Sequence, residues 1–288
     1  MLKVWFSVTR PKTLIASIVP VSVAGSTLNI GSNAFPWVCF LCCLLFSILV
    51  QIGTNLANDY FDGVRGTDDY RNNAPKRMVA DGLLLPIHVI SAATVILFLA
   101  FFVGCAALWI SQSSPLFLVF GLVCIFLAIG YTGGPFPLAY NGLGDIFVIL
   151  FFGFGAMEGT KFILSSALLI PWEPDWYTAL SLGLLINNLL VVNNYRDYMG
   201  DKKVGKKTTV VILGRQFGLS LYICSIIVST IVTPWISGKS EIISITAILG
   251  IWVWFKLNKA STKNEFNTVL SFTALIILVH GCLVVYCK

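Results

Sequence analysis

The stretch PWVCFLCCLLFSILVQIGTNLANDYFDGVRGTDD, residues 36–69, opens with an apolar run and ends in a cluster of amides and carboxylates. Apolar runs of roughly 18 or more residues are typical of membrane-spanning helices. The rest of the chain has the same character, because 57% of its 288 residues are hydrophobic and only 11% are charged. Soluble domains usually carry about 25% charged residues. The sequence therefore predicts an all-α, polytopic membrane protein whose main partner is the lipid bilayer.

Further apolar blocks on both sides of this stretch predict about nine transmembrane helices. The predicted spans cover residues 14–30, 36–57, 87–109, 115–132, 143–165, 177–194, 216–236, 242–256 and 267–287. No linker, low-complexity tract or repeat separates them. We therefore expect residues 1–288 to form a single membrane-embedded domain.

Basic residues are unevenly distributed over the predicted loops. Sixteen of the 19 Lys and Arg residues lie in the N-terminal segment and in the loops after the second, sixth and eighth spans. The positive-inside rule places these loops in the cytoplasm. We expect a multi-pass protein of the inner, or plasma, membrane, with the N-terminus and these basic loops in the cytoplasm. The net charge of +6 follows from this topology and does not indicate a nucleic-acid partner, and the sequence predicts no protein partner.

The polar end of the opening stretch carries its chemistry. Asn58 and Asp62 are four residues apart, so they share one face of a helix. The glycines that follow allow the helix to end and the chain to turn. Such a turn could bring Asp68 back beside Asp62.

A second segment, NNYRDYMGDKKVGKKT at residues 193–208, repeats the pattern at the end of the sixth span. Asn193, Asp197 and Asp201 follow one another at helical spacing, and glycine and basic residues come next. Carboxylates at this spacing repel each other unless a positive charge lies between them. A single such cluster is often only a solvated loop, but two matched clusters on the same side favour Mg²⁺, which prefers oxygen ligands. The neighbouring Lys and Arg residues indicate that the metal meets a diphosphate.

Two further features leave alternatives open. Residues 131–145 are rich in Gly, Pro and Tyr and contain no basic residue. They form either a rigid turn or the wall of an aromatic substrate pocket, with Asp145 as a polar contact. Glu158 and Lys161 lie three residues apart within the fifth span. They are either a mutual ion pair or functional groups of an intramembrane cavity.

Four motifs resemble those of the UbiA-type intramembrane prenyltransferases, and most of all the branch that prenylates 1,4-dihydroxy-2-naphthoate for menaquinone synthesis. The first motif is Arg10-Pro11-Lys12-Thr13-Leu14, and the second is Asn55 to Asp62 with Asp68 downstream. The third runs from Tyr131 to Asp145, and the fourth from Asn193 to Thr208. They cover about two thirds of the chain. Glu158 and Lys161 depart from the pattern, since relatives usually have neutral residues there.

The resemblance implies a fold of nine transmembrane helices around a central cavity, with the active site on the cytoplasmic side. It implies an Mg²⁺-dependent enzyme that transfers a polyprenyl group from a long-chain polyprenyl diphosphate to 1,4-dihydroxy-2-naphthoate. Diphosphate and CO2 leave, and demethylmenaquinone is formed. The implied metal ligands are Asn58, Asp62, Asp68, Asp197 and Asp201, and the implied catalytic residues are Asn58, Asp62, Asp197 and Asp201.

The same resemblance suggests which other residues would contact the substrates. The cations expected at the diphosphate are Arg65, Lys76, Arg77, Arg196 and Lys206. The other expected substrate contacts are Tyr60, Tyr131, Asp145, Asn194 and Tyr195, of which the tyrosines would shelter an allylic cation.

Other functions remain open at this point. The acceptor could be another aromatic compound, such as homogentisate or 4-hydroxybenzoate, or a sugar or glycerol. A transporter or channel with an acidic cation site is a further alternative. Transporters tend to place their charges near the middle of the bilayer, whereas these carboxylates lie at helix ends, which favours the enzyme.

Overall fold

The structure, a computed structural model, describes residues 2–31, 34–67, 77–233 and 240–287. These residues form helices and connecting turns, which confirms the all-α prediction. The helices are α1 (Leu2–Val8), α2 (Ile15–Ser26), α3 (Trp37–Val64), α4 (Pro86–Ser111), α5 (Leu116–Gly130), α6 (Gly144–Leu168), α7 (Trp176–Lys203), α8 (Thr209–Leu213), α9 (Arg215–Val232), α10 (Ser240–Lys259) and α11 (Lys263–Cys287).

Six helices of the described residues are long and apolar enough to cross a membrane, and the protein is a multi-pass membrane protein. They are α3, α4, α6, α7, α9 and α11. The apolar helices α2 and α5 are shorter. Each predicted span overlaps a helix, but the number of nine crossings stays a prediction.

The helices α3 and α7 continue well beyond the predicted spans 36–57 and 177–194. Each has 28 residues, which is about 42 Å at the rise of an α-helix. A hydrocarbon core of about 30 Å is shorter, so both helices are long enough for their polar last turns to extend beyond it. The predicted C-terminal boundaries of both spans were too early, because the sequence becomes polar at residues 57 and 194 but contains no helix-breaking residue there.

Both long helices end in the same way, at a glycine in the left-handed region. Gly66 has φ 70° and Gly205 has φ 73°. The next residue then donates its backbone N–H to the carbonyl of an aspartate inside the helix, Thr67 to Asp62 at 3.0 Å and Lys206 to Asp201 at 2.9 Å. This glycine cap satisfies carbonyls that the helix leaves unpaired. The two predicted Asp-rich segments therefore share a helix ending as well as a sequence pattern.

The helices α6 and α7 cross closely in the centre of the bundle. A Cβ added to Gly153 would come within 2.4 Å of the carbonyl oxygen of Ala179 and 3.0 Å of the Cα of Gly183. Small residues allow this backbone approach in membrane helices. In the same region, residues Ile149–Glu158 of α6 form a π-helical segment. Such segments often occur near functional sites, and this one lines the apolar cavity described below.

His280, to which the sequence assigned no role, belongs to a buried polar contact between helices. Its Nε2 lies 2.7 Å from the hydroxyl of Ser181, and its Nδ1 lies 3.1 Å from that of Thr246. The contact joins α11 to α7 and α10 and leaves the ring nitrogens paired, as a buried polar group requires.

Candidate active site

A polar cavity of about 370 Å³ lies between the C-terminal ends of α3 and α7. It is lined by side chains of both Asp-rich segments and of the loops between α1 and α2 and between α5 and α6. The predicted site residues in its lining are Asn58, Asp62, Arg77, Tyr131, Asp145, Asn194, Arg196, Asp197, Asp201 and Lys206. The structure therefore brings the two predicted segments to one space, together with most of the predicted substrate contacts.

Asp62 contacts three separate parts of the chain. Its Oδ1 accepts a hydrogen bond of 2.6 Å from the hydroxyl of Tyr140. Its Oδ2 lies 3.5 Å from Nζ of Lys206 and 3.9 Å from a guanidinium nitrogen of Arg77. Asp62 is only 2% exposed, and burial of a carboxylate is costly unless it is paired and hydrogen-bonded. Lys206 and Arg77 are thus held beside Asp62 in the polar cavity, where a bound anion would also meet them.

Asp197 is paired with the residue next to it. Nε and Nη2 of Arg196 donate hydrogen bonds of 2.8 Å each to the two carboxylate oxygens of Asp197. Bidentate pairs of this kind are among the strongest hydrogen bonds in proteins. The sequence predicted Asp197 at a metal and Arg196 at a diphosphate, and in the structure these two side chains pair with each other. Asp201 lies one turn further along α7, buried in the same lining.

Asn58 and Asp59 are adjacent, but they have different contacts. The Oδ1 of Asn58 accepts a hydrogen bond of 2.7 Å from the hydroxyl of Thr132, which joins α3 to the loop after α5. The carboxylate of Asp59 accepts the backbone N–H groups of Met78 and Val79 at 3.2 and 3.1 Å. Asp59 therefore anchors the chain segment before α4.

The loop between α5 and α6 and the segment after α7 are joined over the cavity. The backbone N–H of Lys207 donates to the carbonyl of Tyr140 at 3.2 Å. The Oδ2 of Asp145 accepts a hydrogen bond of 2.6 Å from the hydroxyl of Thr209, and its Oδ1 accepts one of 2.9 Å from the amide of Asn187. Both carboxylate oxygens of Asp145 thus hold neighbouring chain segments, and its contact with a substrate stays a prediction.

Tyr131 occupies the corner between this loop and the bundle. Burial raises the pKa of Tyr131, and the carboxylates of Asp145 and Asp62 raise it further. The phenol therefore stays neutral, and its ring is available as an uncharged aromatic surface.

An apolar cavity of about 270 Å³ adjoins the polar one. Residues of α2 to α7 line it. Six residues line both cavities: Arg10, Thr13, Asn58, Tyr131, Leu190 and Asn193. The combined space is therefore charged at one end and apolar along the rest of its length.

Three predicted contacts lie outside both linings. Arg65 donates hydrogen bonds to the carbonyls of Thr132 and Gly134, and so holds the α5–α6 loop. Tyr60 packs in an apolar cluster of α1, α3 and α4. Tyr195 packs in the main core, with the guanidinium of Arg215 4.1 Å from its ring. The predicted positions of Asp68 and Lys76 lie outside the described residues.

The structure adds residues that the sequence did not single out for the site. Tyr140 contacts Asp62 as described above. Arg10 and Asn193 line both cavities. The sequence placed Asn193 on one helix face with Asp197 but assigned it no contact with metal or substrate. Arg10 lies in the first motif. Its backbone is left-handed, with φ 50°, and this turn directs the chain past the site. The sequence does not indicate such a turn at a residue other than glycine.

Glu158 and Lys161 lie outside both linings as well. Lys161 Nζ donates a hydrogen bond of 2.7 Å to the carbonyl of Glu173. Glu158 accepts the backbone N–H of Asp175 at 2.9 Å and the indole N–H of Trp172 at 3.3 Å. Both charged side chains therefore bind the segment before α7, at the end of the bundle remote from the carboxylates.

Comparison with known proteins decides the family. A model of the UbiA prenyltransferase family matches residues 17–279. This chain belongs to the UbiA prenyltransferase family. It is 36% identical to a 1,4-dihydroxy-2-naphthoate octaprenyltransferase of Mycobacterium leprae, over 80% of this chain and 76% of that protein. A protein of the same name from Mycobacterium tuberculosis is 38% identical over 76% of this chain and 72% of its own.

The UbiA fold is also shared with solved structures. A UbiA homolog from Archaeoglobus fulgidus, solved bound to DMAPP and Mg²⁺, superposes with a TM-score of 0.67. The match covers 97% of this chain and 98% of the homolog at 15% identity. At this identity the likeness shows the shared fold, which agrees with the helix arrangement described above.

The donor atoms of this UbiA-family protein suit a hard divalent cation. Asp62, Asp197, Asp201 and Asn58, whose side chains carry carboxylate and amide oxygens, line the polar cavity. Among residues 2–31, 34–67, 77–233 and 240–287, no three His, Cys, Asp or Glu side chains converge closely enough to enclose a metal. Mg²⁺ is commonly held by one or two carboxylates, with substrate phosphates completing its shell. These residues of α3 and α7 therefore suit magnesium that binds together with a phosphorylated substrate.

Proposed function

We propose that this protein transfers a polyprenyl group from a polyprenyl diphosphate to 1,4-dihydroxy-2-naphthoate, with release of diphosphate and CO2. One observation carries the proposal: carboxylates of α3 and α7 face a single polar cavity that continues into an apolar one. A prenyl diphosphate has the same division, with a highly charged head and a long hydrocarbon tail. The names of the two mycobacterial relatives support the naphthoate as the acceptor.

The diphosphate head would lie in the polar cavity. Asn58 and Asp62 on one wall, and Asp197 and Asp201 on the other, would hold Mg²⁺. The metal, when bound, supplies charge neutralisation of the leaving diphosphate. Lys206 and Arg77, which lie beside Asp62, would donate hydrogen bonds to diphosphate oxygens that carry the remaining charge.

The reacting carbon would lie where the two cavities meet. Departure of the diphosphate with the electron pair of the allylic C–O bond leaves positive charge on the prenyl group. The neutral ring of Tyr131 lines both cavities and would stabilise this charge by a cation–π contact. The apolar walls of the tail cavity keep water from the same carbon.

The naphthoate ring would then form the new bond. An electron pair of the ring carbon that bears the carboxylate attacks the allylic carbon, and the carboxylate leaves as CO2 so that the ring regains its aromaticity. The product is the prenylated naphthalenediol, the reduced form of demethylmenaquinone. The basic loops around the polar cavity support a cytoplasmic location of this chemistry, in the inner or plasma membrane.

Diphosphate release by the purified protein tests the proposal. The protein is given a polyprenyl diphosphate with Mg²⁺, with and without 1,4-dihydroxy-2-naphthoate, and the lipid products are analysed by mass spectrometry. We expect release that depends on Mg²⁺ and on the naphthoate, and a prenylated, decarboxylated product.

Parallel assays with homogentisate and 4-hydroxybenzoate serve as acceptor controls. A product with one of them and none with the naphthoate would retain the prenyl transfer and refute the acceptor. Folded protein that releases no diphosphate with any acceptor would refute the enzyme activity itself.

A further inference from the structure

One charged side chain lies at the junction of the two cavities, which is the place where residues line both of them. Of the described residues that line the apolar cavity, Arg10 alone is an Asp, Glu, Lys, Arg or His. Arg10 also lines the polar cavity, as Lys206 and Arg77 do, but these two do not line the apolar one. In the part of the chain that the structure describes, the junction therefore has one cationic side chain beside apolar walls.

The turn that carries Arg10 is fixed to the bundle. Arg10 has φ 50° and ψ 67°, a left-handed conformation that strains a non-glycine residue. Its carbonyl accepts the backbone N–H of Thr13 at 2.8 Å and the hydroxyl of Thr13 at 2.9 Å. The amide of Asn55 on α3 donates to the carbonyl of Thr9 at 3.0 Å and to the hydroxyl of Thr13 at 3.3 Å. Strained residues persist where their surroundings hold them, and they are concentrated at ligand sites.

A row of neutral polar side chains on α3 lies beside this turn. Gln51, Asn55 and Asn58 are separated by four and three residues, so they share one face of the helix. All three line the apolar cavity, and the amide of Gln51 lies 3.5 Å from the hydroxyl of Thr13. A prenyl tail has no group that can form hydrogen bonds with such partners, whereas a hydroxylated ring has. The polar row therefore fits the acceptor better than the tail.

The proposed reaction places the carboxylate of the acceptor at the junction. The ring carbon that bears this carboxylate must reach the allylic carbon, which would lie where the two cavities meet. The diphosphate has other cationic partners, namely Lys206 and Arg77 beside Asp62. A guanidinium can pair with a carboxylate through two parallel hydrogen bonds. Arg10 thus lies where the carboxylate of the acceptor needs a partner.

We propose that Arg10 binds the carboxylate of the acceptor and that Gln51 contacts a ring hydroxyl, so that the site selects an aromatic hydroxy acid. This inference rests on the proposed function and deepens it by naming the residues that recognise the acceptor. The new bond forms at the ring carbon, and the bond from this carbon to the carboxylate then breaks with its electron pair retained by the ring. The product has no carboxylate, so Arg10 binds the substrate and not the product.

Initial rates with Arg10→Gln test this site. Diphosphate release is measured at varied 1,4-dihydroxy-2-naphthoate and at varied polyprenyl diphosphate. Loss of hydrogen bonds to a charged group should raise the KM for the naphthoate about tenfold or more, while the KM for the polyprenyl diphosphate should stay close to that of the wild type. Arg10→Lys keeps the charge but not the paired geometry, so its KM for the naphthoate should be intermediate. An equal rise in both KM values would overturn the proposal, because Arg10 would then bind the diphosphate.

A binding measurement without turnover isolates the carboxylate. The probes are 1-hydroxy-2-naphthoate and 1-naphthol, which differ only in this group, and each is dialysed to equilibrium against the protein in detergent and against protein-free micelles. The wild type should bind the acid about tenfold or more tightly than the naphthol, and Arg10→Gln should lose this preference. Equal binding of both probes by the wild type would overturn the proposal, whether or not any variant folds.

Gln51→Leu distinguishes the two contacts. Both probes have the hydroxyl, so this variant should bind both of them more weakly and should keep the preference for the acid. Wild-type affinity of Gln51→Leu for both probes would overturn the contact with Gln51.

The matched control is Arg215→Gln. Arg215 is exposed and lies outside both linings, so the same loss of charge at this position should change neither KM. Each variant is checked for folding by its thermal unfolding in detergent.

The two measurements separate this inference from the proposed function. Protein that releases no diphosphate, but binds the acid in preference to the naphthol through Arg10, would refute the proposed function alone. Prenyl transfer to the naphthoate, with wild-type KM values and a wild-type probe preference in Arg10→Gln, would overturn the acceptor site alone.

Discussion

The hydroxyl of Tyr140 donates a hydrogen bond of 2.6 Å to Oδ1 of Asp62. Burial raises the pKa of Tyr140, and the negative charge of Asp62 raises it further, so the phenol remains a proton donor. Its ring lies between two cations, 5.1 Å from the guanidinium of Arg65 and 4.9 Å from Nζ of Lys206. Tyr140 therefore connects α3, the α5–α6 loop and the segment after α7 at one carboxylate.

Tyr140→Phe should reduce activity without loss of the fold. The ring between Arg65 and Lys206 is kept, and the contacts of the hydroxyl with Asp62 and with Thr67 are lost. Bonds to charged groups contribute about 1.5–3 kcal/mol, so we expect kcat/KM to fall roughly tenfold or more. Diphosphate release measures the effect, and an unchanged melting temperature is the control. Wild-type kinetics would show that Asp62 needs no orientation by Tyr140.

Asp62→Asn and Asp201→Asn should each abolish most of the turnover. Each substitution removes one negative charge from a wall of the polar cavity, and with it the proposed hold on Mg²⁺. Loss of one group that stabilises developing charge reduces rates by about a hundredfold or more. Glu265→Gln is the comparison, because this exposed carboxylate lies outside both linings. Near-normal turnover in either Asp variant would exclude that residue from the metal site.

Asp59→Asn should affect stability more than metal dependence. Asp59 holds the backbone of Met78 and Val79, and an amide replaces one of the two accepting oxygens by a donor. We expect the free energy of unfolding to fall by about 2 kcal/mol. Thermal unfolding in detergent measures this loss, while the Mg²⁺ concentration for half-maximal activity should not change. A large rise in that concentration would instead place Asp59 at the metal.

Arg196→Gln should change the response to magnesium in a distinctive way. Both oxygens of Asp197 accept hydrogen bonds from Arg196, so the guanidinium competes with a metal for this carboxylate. The variant should reach half-maximal activity at a severalfold lower Mg²⁺ concentration, with a lower kcat because a cation near the diphosphate is lost. A magnesium titration of initial rates separates the two effects. An unaltered titration midpoint would argue against Asp197 as a metal ligand.

Asp145→Ala and Thr209→Val should not have additive effects. Asp145 accepts a hydrogen bond from the hydroxyl of Thr209 and so holds the chain that follows Lys206. We therefore expect a higher KM for the prenyl diphosphate in both variants. A double-mutant cycle measures the coupling, since effects of directly linked residues do not add. A rise in the KM for the naphthoate that occurs in Asp145→Ala alone would instead support a direct contact with the acceptor.

The sequence predicted the helices well because membrane spans depend on a simple property, namely the length of an apolar run. It also predicted the meeting of the two Asp-rich segments, since both lie at helix ends on the basic side. The spacing of Asn58 and Asp62, and of Asp197 and Asp201, was enough to assign each set to one helix face. The π-helical segment of α6 has no comparable pattern and could not be predicted.

The side-chain directions at the helix ends were harder to predict. Tyr60 and Tyr195 are adjacent in sequence to cavity residues, but a step of one residue turns about 100° around a helix and directs both into apolar packing. Arg65 follows the last turn of α3, where the glycine cap sends the chain away from the cavity. Tyr140 was not identified because its partner Asp62 lies on another helix, and a single sequence contains no information about that contact.

The helices α3 and α7 are longer than a hydrocarbon core of about 30 Å and carry their carboxylates in the last turns, so we expect the thickness of the host bilayer to affect the reaction. Lipids with longer acyl chains move the hydrocarbon boundary toward Asp62 and Asp201, and the protein must tilt or deform the membrane to keep them hydrated. The match between the lengths of α3 and α7 and the thickness of the bilayer thus links the hydration of the carboxylates around the diphosphate to lipid composition. The same polypeptide would work at different rates in thin and thick membranes.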